Sequence, residues 1–343
     1  MTAQSVPSQD LISVVMPAYN AANYLPRVLA PLLAMRDANE IAEIIVVDDQ
    51  STDTTAEVAR SLGARVLINA SRGGPGAARN HAAAQAIGDI LWMVDSDVIA
   101  HPGGAAQIAN AFRDDTVHAV FGSYDDAPAD QGWMSQYKNL MHRYYHQRAR
   151  HEASTFWAGC GAMRKSAFLA VGGFDVETYN RPSIEDIELG YRIKSGGGRI
   201  LLLPDLLGKH LKIWTIRNAI HTDIFCRALP WSRLMIRREG VPDDLNTSLD
   251  ERLRAVLAGL LFLSILMLPF SPGLWWVFLL VLGLVIAVNW PFLRFLWRAN
   301  GARVAVLGGM FHQLYYVYSA CTFVFSVLEA ALERRRKYAP KDA

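Results

Sequence analysis

The sequence of 343 residues has a hydrophobic content of 52% and a formal net charge of +2 at pH 7. This balance excludes a protein that binds nucleic acid through bulk positive charge, so we expect no nucleic-acid partner. The three cysteines are too few and too far apart for a disulfide framework, which favours a reducing compartment. The opening segment MTAQSVPSQD has no basic-then-apolar signal, so we expect the chain to begin in the cytosol.

Up to about residue 242, short apolar runs alternate with polar and glycine-rich turns. The pattern predicts strands at 11–16, 43–48, 64–69, 89–94 and 117–121, separated by helices at 21–35, 53–61, 75–87 and 102–113. Continuous apolar strands that alternate with helices indicate an α/β fold, with a mostly parallel sheet covered on both faces. In such sheets ligands bind at the carboxyl ends of the strands.

Acidic residues follow two of these strands. Asp48 and Asp49 come at the end of one strand, and the segment VDSD places Asp95 and Asp97 at the end of another. Four carboxylates at one sheet edge would repel one another without a cation. The sequence therefore predicts a divalent-cation or ligand site there. The alternative is that an acid such as Asp49 or Asp53 only caps the helix at 54–61.

A glycine-rich stretch, RGGPGAARN, follows the third strand. It lacks the Gly-Lys-Ser/Thr ending of a P-loop and the glycine spacing of a dinucleotide site, so by itself it is a weak phosphate signal. Arg79 in the first turns of the next helix is a candidate to face a diphosphate. A solvated surface arginine is the alternative.

The segment 212–238 is amphipathic. Isoleucines recur at spacings of three and four, arginines lie between them, and Trp214 and Trp231 are candidate interface anchors. This composition is typical of helices that lie on a membrane surface, and Pro230 is expected to split the segment into two pieces. The alternative is an ordinary amphipathic helix that packs on the preceding domain.

The last third of the sequence changes character. The runs 253–270 and 274–289 are apolar and close to bilayer-spanning length, and 304–328 is a further candidate although it contains His312 and Gln313. Buried core helices are the alternative. Basic residues flank the first two runs on the outer sides and indicate that these flanks lie in the cytosol. The basic tail at 331–343 conflicts with a third full crossing.

Five segments together resemble family 2 glycosyltransferases of the GT-A fold. They are VVMPAYN, VVDDQSTD, AARNHAAAQAIGDILWMVDSD, GCGAMRKSAFLAVGGFD and EDIELGYRIKSGG, in this order from about Ile12 to about Gly198. The resemblance implies a Rossmann-like sheet and the inverting transfer of a sugar from a nucleotide-sugar donor, with a UDP-sugar as the safer expectation than a GDP-sugar. The region that carries Q-x-x-R-W in processive relatives retains only Trp214, which argues against a polysaccharide synthase.

The resemblance also implies roles for individual residues. The implied contacts to the nucleotide-sugar are Pro17, Tyr19, Asn20, Asp49, Arg79, Asp95 and Ser96. The implied ligands of Mn²⁺ or Mg²⁺ are Asp95, Asp97 and His210, and those near the donor sugar or acceptor are Gly159, Cys160 and Trp214. Asp186 is the implied general base, with Glu185 and Glu188 as alternatives by position. A simple capping box with Ser183 as N-cap would also explain this motif.

We therefore expect a cytosolic catalytic domain at 1–208, an amphipathic interface segment at 209–250, a transmembrane region at 251–330 and a basic tail. The expected enzyme is a multi-pass protein, with bacterial plasma membrane as the compositional expectation, that glycosylates a hydroxyl of a lipid or lipid-linked acceptor. The alternatives are a polyprenyl-phosphate glycosyltransferase, a membrane-anchored nucleotidyltransferase and a non-catalytic membrane scaffold. The sequence leaves the sugar, the acceptor and the oligomeric state open.

Overall fold

The computed structural model describes residues 10–238, 240 and 247–337. The chain forms two compact units. The first, here the sheet unit, comprises Met1–Ala129 and Ala149–Lys212, and the second, the helical unit, comprises Asp130–Arg148 and Ile213–Ala343. The sequence pattern does not predict that residues 130–148 belong to the helical unit, because in the chain they lie between two strands of the sheet.

The sheet unit contains one sheet of eight strands within the described residues. In chain order they are β1 (Ile12–Ala18), β2 (Glu43–Asp48), β3 (Arg65–Ile68), β4 (Ile90–Val94), β5 (Val98–Ala100), β6 (Val117–Tyr124), β7 (Cys160–Arg164) and β8 (Arg199–His210). Their spatial order is β3-β2-β1-β4-β7-β6-β8-β5. The five strands predicted from the sequence are all present, with boundaries shifted by a few residues.

The sheet is mostly parallel, with two antiparallel strands. Strands β3, β2, β1 and β4 are parallel neighbours, and so are β6 and β8. Strand β7 is antiparallel to both β4 and β6, and β5 is antiparallel to β8. The prediction of a mostly parallel sheet is therefore confirmed, and only β7 and β5, which were not among the predicted strands, run against the other described strands. Strand β7 begins at the edge of the sheet where β6 ends, so it runs back in the direction opposite to β6 and β4.

Helices cover both faces of the sheet. The helices of this unit are α1 (Leu25–Asp37), α2 (Thr55–Ser61), α3 (Gly74–Gln85), α4 (Gly104–Ala111), α6 (Lys165–Ala170) and α7 (Glu185–Ser195). Alternate residues of one strand enter different cores: Val14 and Met16 pack in one, and Val15 packs in the other. Burial on both faces is the reason why these strands are continuously apolar.

The helical unit contains α5 (Trp133–His146), α8 (Ile216–His221), a π-helical segment (Thr222–Ala228), α9 (Leu229–Arg237), α10 (Leu249–Met267) and α11 (Trp275–Lys337). Its buried residues include an ion pair, with Lys138 Nζ at 2.6 Å from Asp223 Oδ1. His312 is also buried, and its Nδ1 lies 2.9 Å from the hydroxyl of Tyr137. The histidine that is unusual in the apolar run 304–328 therefore pairs with a tyrosine of α5.

The amphipathic segment differs from the prediction at two residues. Pro230 does not split it. His221, just before the π-helical segment, and Ala228, just before α9, both have helical dihedral angles. Pro230 is the second residue of α9, which follows directly on the π-helical segment. Trp214 is buried, with Lys138 Nζ at 5.3 Å from its ring centroid, so it is not an interface anchor. Ile213, by contrast, is exposed.

One helix among the described residues, Trp275–Arg334, is long and apolar enough to cross a membrane by its length and composition, and its apolar 18-residue window has a mean hydropathy of 2.2. Asn300 and Gly301 interrupt the helical dihedral angles of α11, so the predicted runs 274–289 and 304–328 lie in its two segments. The run 253–270 lies mostly in α10, which begins with acidic and basic residues. The expected multi-pass arrangement is therefore not supported by the described helices. Residues 239, 241–246 and 338–343 of the predicted interface segment and tail lie outside the described residues.

Candidate active site

A buried arginine connects two carboxylates at the carboxyl end of the first parallel strands. Arg79 lies in the second turn of α3, and its side chain is 3% exposed. Its Nη2 donates to Oδ1 of Asp95 at 2.5 Å, and its Nη1 lies 3.8 Å from Oε1 of Glu185. Arg79 is therefore not the solvated surface residue that the sequence left as an alternative.

The two carboxyl groups next to Arg79 have perturbed acidities. Burial, followed by the neighbouring charge of Asp186, raises the pKa of Glu185 to about 7, although Arg79 opposes this shift. Burial also raises the pKa of Asp95, again against the effect of Arg79. Perturbed carboxyl groups concentrated at one strand end are typical of functional sites.

Asp97 and His210 form the second part of the candidate site. Val98 of β5 pairs with His210 of β8, and this register brings His210 Nε2 to 3.4 Å from Asp97 Oδ2. Burial acts to raise the pKa of Asp97, but the nearby His210 and Lys212 lower it overall. The carboxylate is thus held in its charged form beside a nearly buried imidazole.

These residues fit a divalent cation that is held partly by substrate. Within the described part of the chain, no group of three or more His, Cys, Asp or Glu side chains is arranged to hold a metal ion alone. Asp97 and His210 nevertheless supply one carboxylate oxygen and one imidazole nitrogen, a donor set that suits Mn²⁺. Ions of this kind commonly complete their coordination with substrate phosphates and water.

Asp186 lies in the first turn of α7 and is half-buried. Its Oδ2 accepts a hydrogen bond of 3.1 Å from the backbone N–H of Ala158. The next residue, Gly159, accepts from the backbone N–H of Asp95 at 3.2 Å. The loop at 157–159 therefore connects Asp186 to Asp95 through main-chain groups. A Cβ atom at Gly159 would lie 2.5 Å from the ring of Trp157, so this connection needs glycine.

Ser183, the N-cap expected from the sequence, is not the residue that directly precedes α7. The residue that precedes α7 is Ile184, which makes no side-chain cap. The backbone N–H of Ser183 instead donates to Glu185 Oε2 at 2.8 Å. The carboxylate of Asp186 accepts hydrogen bonds from the N–H of Ala158 and from the N–H of Ile187.

The carboxylate of Asp49 already accepts several hydrogen bonds from other groups of the protein. It is 4% exposed and accepts from Asn69 Nδ2 at 2.7 Å and from the backbone N–H groups of Gly73 and Gly74 at 3.0 and 2.8 Å. The glycine-rich start of α3 thus binds the protein's own carboxylate. Asp53 lies one residue before Thr54, the N-cap of α2, and its carboxylate accepts a hydrogen bond from the N–H of Thr55 at the start of that helix.

The segment after β1 forms another part of this edge. Pro17 pairs with Val47 within the sheet, and Asn20 Oδ1 accepts from the N–H of Thr52 at 2.8 Å. Tyr19 is 39% exposed, and the guanidinium of Arg72 lies 3.8 Å from its ring centroid. Sequence reasoning did not single out Arg72; its only signal was a position just before the glycines.

Two residues expected near the sugar have buried side chains. Cys160 begins β7 with its side chain fully buried in the hydrophobic core, and burial raises its pKa to about 12. It is therefore a packing residue rather than a sugar contact. Trp214 belongs to the core of the helical unit. Ser96 is half-buried between Asp95 and Asp97.

Comparison with known proteins identifies the domain that carries this edge. The model of the family "Glycosyl transferase family 2" matches residues 13–172. These residues form a glycosyltransferase family 2 domain. The family 2 domain contains Asp49, Arg79, Asp95 and Asp97, whereas Asp186 and His210 lie beyond the matched residues.

Curated relatives match part of the chain. An uncharacterized protein of Mycobacterium tuberculosis is 27% identical over 197 residues, 52% of this chain and 61% of its own length. Glycosyltransferase GlyG of Streptococcus pneumoniae is 29% identical over 165 residues, 47% of this chain and 54% of its own length. The succinoglycan biosynthesis protein ExoU of Rhizobium meliloti is 35% identical over 102 residues, 28% of this chain and 29% of its own length. The chain thus spans at most about 60% of these relatives.

The fold of the family 2 domain is also that of a solved glycosyltransferase. The mannosyltransferase PcManGT of Pyrobaculum calidifontis, solved in complex with GDP-Man and Mn²⁺, superposes with a TM-score of 0.53 at 20% identity. The superposition covers 93% of this chain and 88% of that one. The sheet unit therefore has the GT-A fold that the sequence predicted.

Proposed function

We propose that this chain is an inverting glycosyltransferase that moves a sugar from a nucleotide-diphosphate donor to an acceptor hydroxyl. The observation that carries the proposal is the connection of Asp95, two residues before Asp97, to Asp186 through the loop at 157–159 and to the buried Arg79. The family 2 domain and the similarity to GlyG support the reaction class.

The donor binds at the edge formed by the ends of β1, β2 and β4. Tyr19 offers an exposed aromatic ring to the nucleotide base, with Arg72 beside it. Arg79 holds Asp95 by a charge-assisted hydrogen bond, so the oxygens of Asp95 that do not bind Arg79 are oriented toward the donor. A UDP-sugar is the expected donor, and a GDP-sugar, as bound by the similar mannosyltransferase, is the alternative.

A divalent cation, Mn²⁺ or Mg²⁺, is held by Asp97 and His210 together with the diphosphate. When bound, it neutralises the charge that develops on the departing nucleoside diphosphate. Asp97 is suited to this role because its lowered pKa keeps it ionised. Asp95, which Ser96 separates from Asp97 in the chain, contributes negative charge at the same strand end.

Asp186 acts as the general base. It takes the proton from the acceptor hydroxyl, whose oxygen forms a bond to the anomeric carbon while the bond from that carbon to the phosphate oxygen breaks. The N–H of Ala158 fixes one carboxylate oxygen of Asp186 and leaves the group half-exposed to an acceptor. A proton-accepting group is required by a hydroxyl acceptor, whereas a phosphate acceptor would not need one.

The acceptor is a lipid or lipid-linked hydroxyl at a membrane. Support comes from the helix at Trp275–Arg334 and from the exposed side chains of Ile213, Ile216 and Phe225 in the segment that leads to it. Arginines at 217 and 227 are exposed in the same segment, a combination that suits a membrane surface. The catalytic domain is proposed to lie on the cytosolic side, with α11 as the membrane anchor.

A thermal-shift panel in detergent tests this function. UDP, GDP, CMP and their sugar conjugates are each added with Mn²⁺, Mg²⁺ or chelator to the full chain and to Asp97→Ala. Ligand that binds the native state raises the melting temperature by mass action, so wild type should respond to one nucleotide in a metal-dependent way. Asp97→Ala should lose that response. No response of wild type to any nucleotide would refute the proposal.

A further inference from the structure

The aromatic ring of Tyr124 lies flat against the imidazole of His210. Their ring centroids are 4.5 Å apart and the planes differ by 7°, and the two residues are only 9% and 6% exposed. The strand register explains this contact. Tyr124 of β6 pairs with Gly208 of β8, and side chains two residues apart on a strand point to the same face, so Tyr124 and His210 are diagonal neighbours.

The same ring also contacts the loop that holds Asp186. Trp157 packs edge-on against Tyr124, with ring centroids 4.9 Å apart at 84°. Trp157 precedes Ala158, whose N–H donates to Asp186. Tyr124 thus lies between the imidazole of His210 and the loop at 157–159, and its ring limits the positions available to both.

We propose that Tyr124 is a positioning residue that fixes the plane of His210, so that Nε2 faces Asp97 and completes the cation site. This inference depends on the metal-dependent function proposed above. An imidazole can rotate about its last side-chain torsion, and a ring stacked on one face restricts that rotation to orientations parallel to the stack. Residues that orient a metal ligand without touching the metal commonly change metal affinity by 10- to 100-fold.

The test measures Mn²⁺ affinity rather than turnover. Mn²⁺ is titrated into the detergent-solubilised full chain with saturating UDP, and separately with saturating GDP, while free Mn²⁺ is followed by electron paramagnetic resonance. The variants are Tyr124→Leu and Tyr124→Met, which fill the space without a planar ring, and Tyr124→Phe, which keeps the ring. Phe112→Leu, a core substitution of the same unit, controls for loosened packing.

The expected result separates the ring from general stability. Tyr124→Leu and Tyr124→Met should weaken Mn²⁺ binding about tenfold or more. Tyr124→Phe and Phe112→Leu should stay within about twofold of wild type, and nucleotide binding in chelator should be the same in all variants.

Three results would overturn the proposal. Wild-type Mn²⁺ affinity in the folded Leu or Met variant would show that the stack does not orient His210. A Phe variant as weak as Leu would assign the effect to the hydroxyl rather than the ring. A wild-type protein without Mn²⁺ affinity in the presence of either nucleotide would refute both this inference and the metal-dependent function, whereas the first two results leave the latter intact.

Discussion

Arg79 and Asp95 form a hydrogen bond of 2.5 Å between a guanidinium that is 3% exposed and a carboxylate that is 35% exposed. The arginine comes from α3 and the aspartate from the end of β4, two elements that the chain connects through only a few residues. One side of Asp95 is therefore fixed and neutralised by the protein, while the remainder of the carboxylate faces outward. This asymmetry reduces the repulsion between the acids at the strand end and leaves part of one carboxylate exposed to a cation.

Replacement of Arg79 by Met should destabilise the sheet unit by about 3 kcal/mol, because it leaves Asp95 and the buried Glu185 without their shared counter-charge. The matched control is Arg60→Met, which changes an exposed arginine of α2 and should shift stability by less than about 0.5 kcal/mol. Denaturant unfolding in detergent measures both. Equal stability of the two variants would contradict the structural importance of this bridge.

Replacement of Asp186 by Asn should abolish turnover and spare donor binding. The amide can still accept from the N–H of Ala158 but cannot take a proton, so we expect kcat to fall about 10²–10⁴-fold. Initial rates with the donor found in the thermal-shift panel measure the loss of turnover. The donor-induced shift in melting temperature measures whether donor binding is retained. Near-normal kcat in the variant would remove Asp186 from the mechanism.

Glu185 should make the protein less stable as the pH rises from about 4.5 to about 7. Its pKa in the folded protein is raised to about 7 from an ordinary value of 4.5, so the folded state binds the proton more tightly than the unfolded state over this interval. The stabilisation is complete below the unfolded pKa and is lost as pH rises through the folded pKa, with a total of about 3 kcal/mol. Glu185→Gln keeps a neutral group and should remove this pH dependence.

The measurement compares melting temperatures of wild type and Glu185→Gln from pH 4.5 to pH 8. The difference between the two curves reports the titration of Glu185 in the presence of the neighbouring charge of Asp186. Parallel curves across the interval would show that the carboxyl titrates with its ordinary acidity in the folded protein.

Cys321 offers a test of the membrane placement of α11. Its side chain is exposed on the second segment of this helix, whereas Cys160 is buried. If that segment lies in a bilayer, a water-soluble maleimide should not label Cys321 in intact membrane vesicles and should label it after denaturation in SDS, because the hydrocarbon excludes the reagent. A Glu40→Cys, Cys321→Ser variant, with its thiol on the exposed surface of the sheet unit, is the positive control. The wild type and the control variant are compared in open or inside-out vesicles. Equal labelling, before denaturation, of Cys321 in the wild type and of the introduced thiol at position 40 in the control would contradict the placement.

The sequence predicted the frame of the sheet unit and the location of its acids well. Apolar runs bounded by turns defined five strands correctly, and Asp48, Asp49, Asp95 and Asp97 lie at strand ends as expected. Local patterns suffice for this because a strand buried on both faces must be apolar and must end where polar residues begin. The family motifs were visible for the same reason, since each lies on one short segment.

Contacts between distant segments decided what each acid does. Asp49 binds Asn69, Gly73 and Gly74, Asp95 binds Arg79, and Asp186 binds Ala158, and these partners lie up to 28 residues away in the chain. The orientation of Cys160 into the core and the burial of Trp214 also depend on which surface packs against them. Residue type and periodicity contain no information on those partners.

The sequence by itself determined the α/β pattern, the apolar C-terminal region and the set of acids, because hydrophobic periodicity and strand boundaries are local properties. Tertiary structure alone decided the antiparallel pairing of β7, the assignment of α5 to the helical unit, and the approach of Tyr124 to His210 across β6 and β8. Strand order and register are fixed by the packing of surfaces far apart in the chain, and those surfaces meet only when the chain folds.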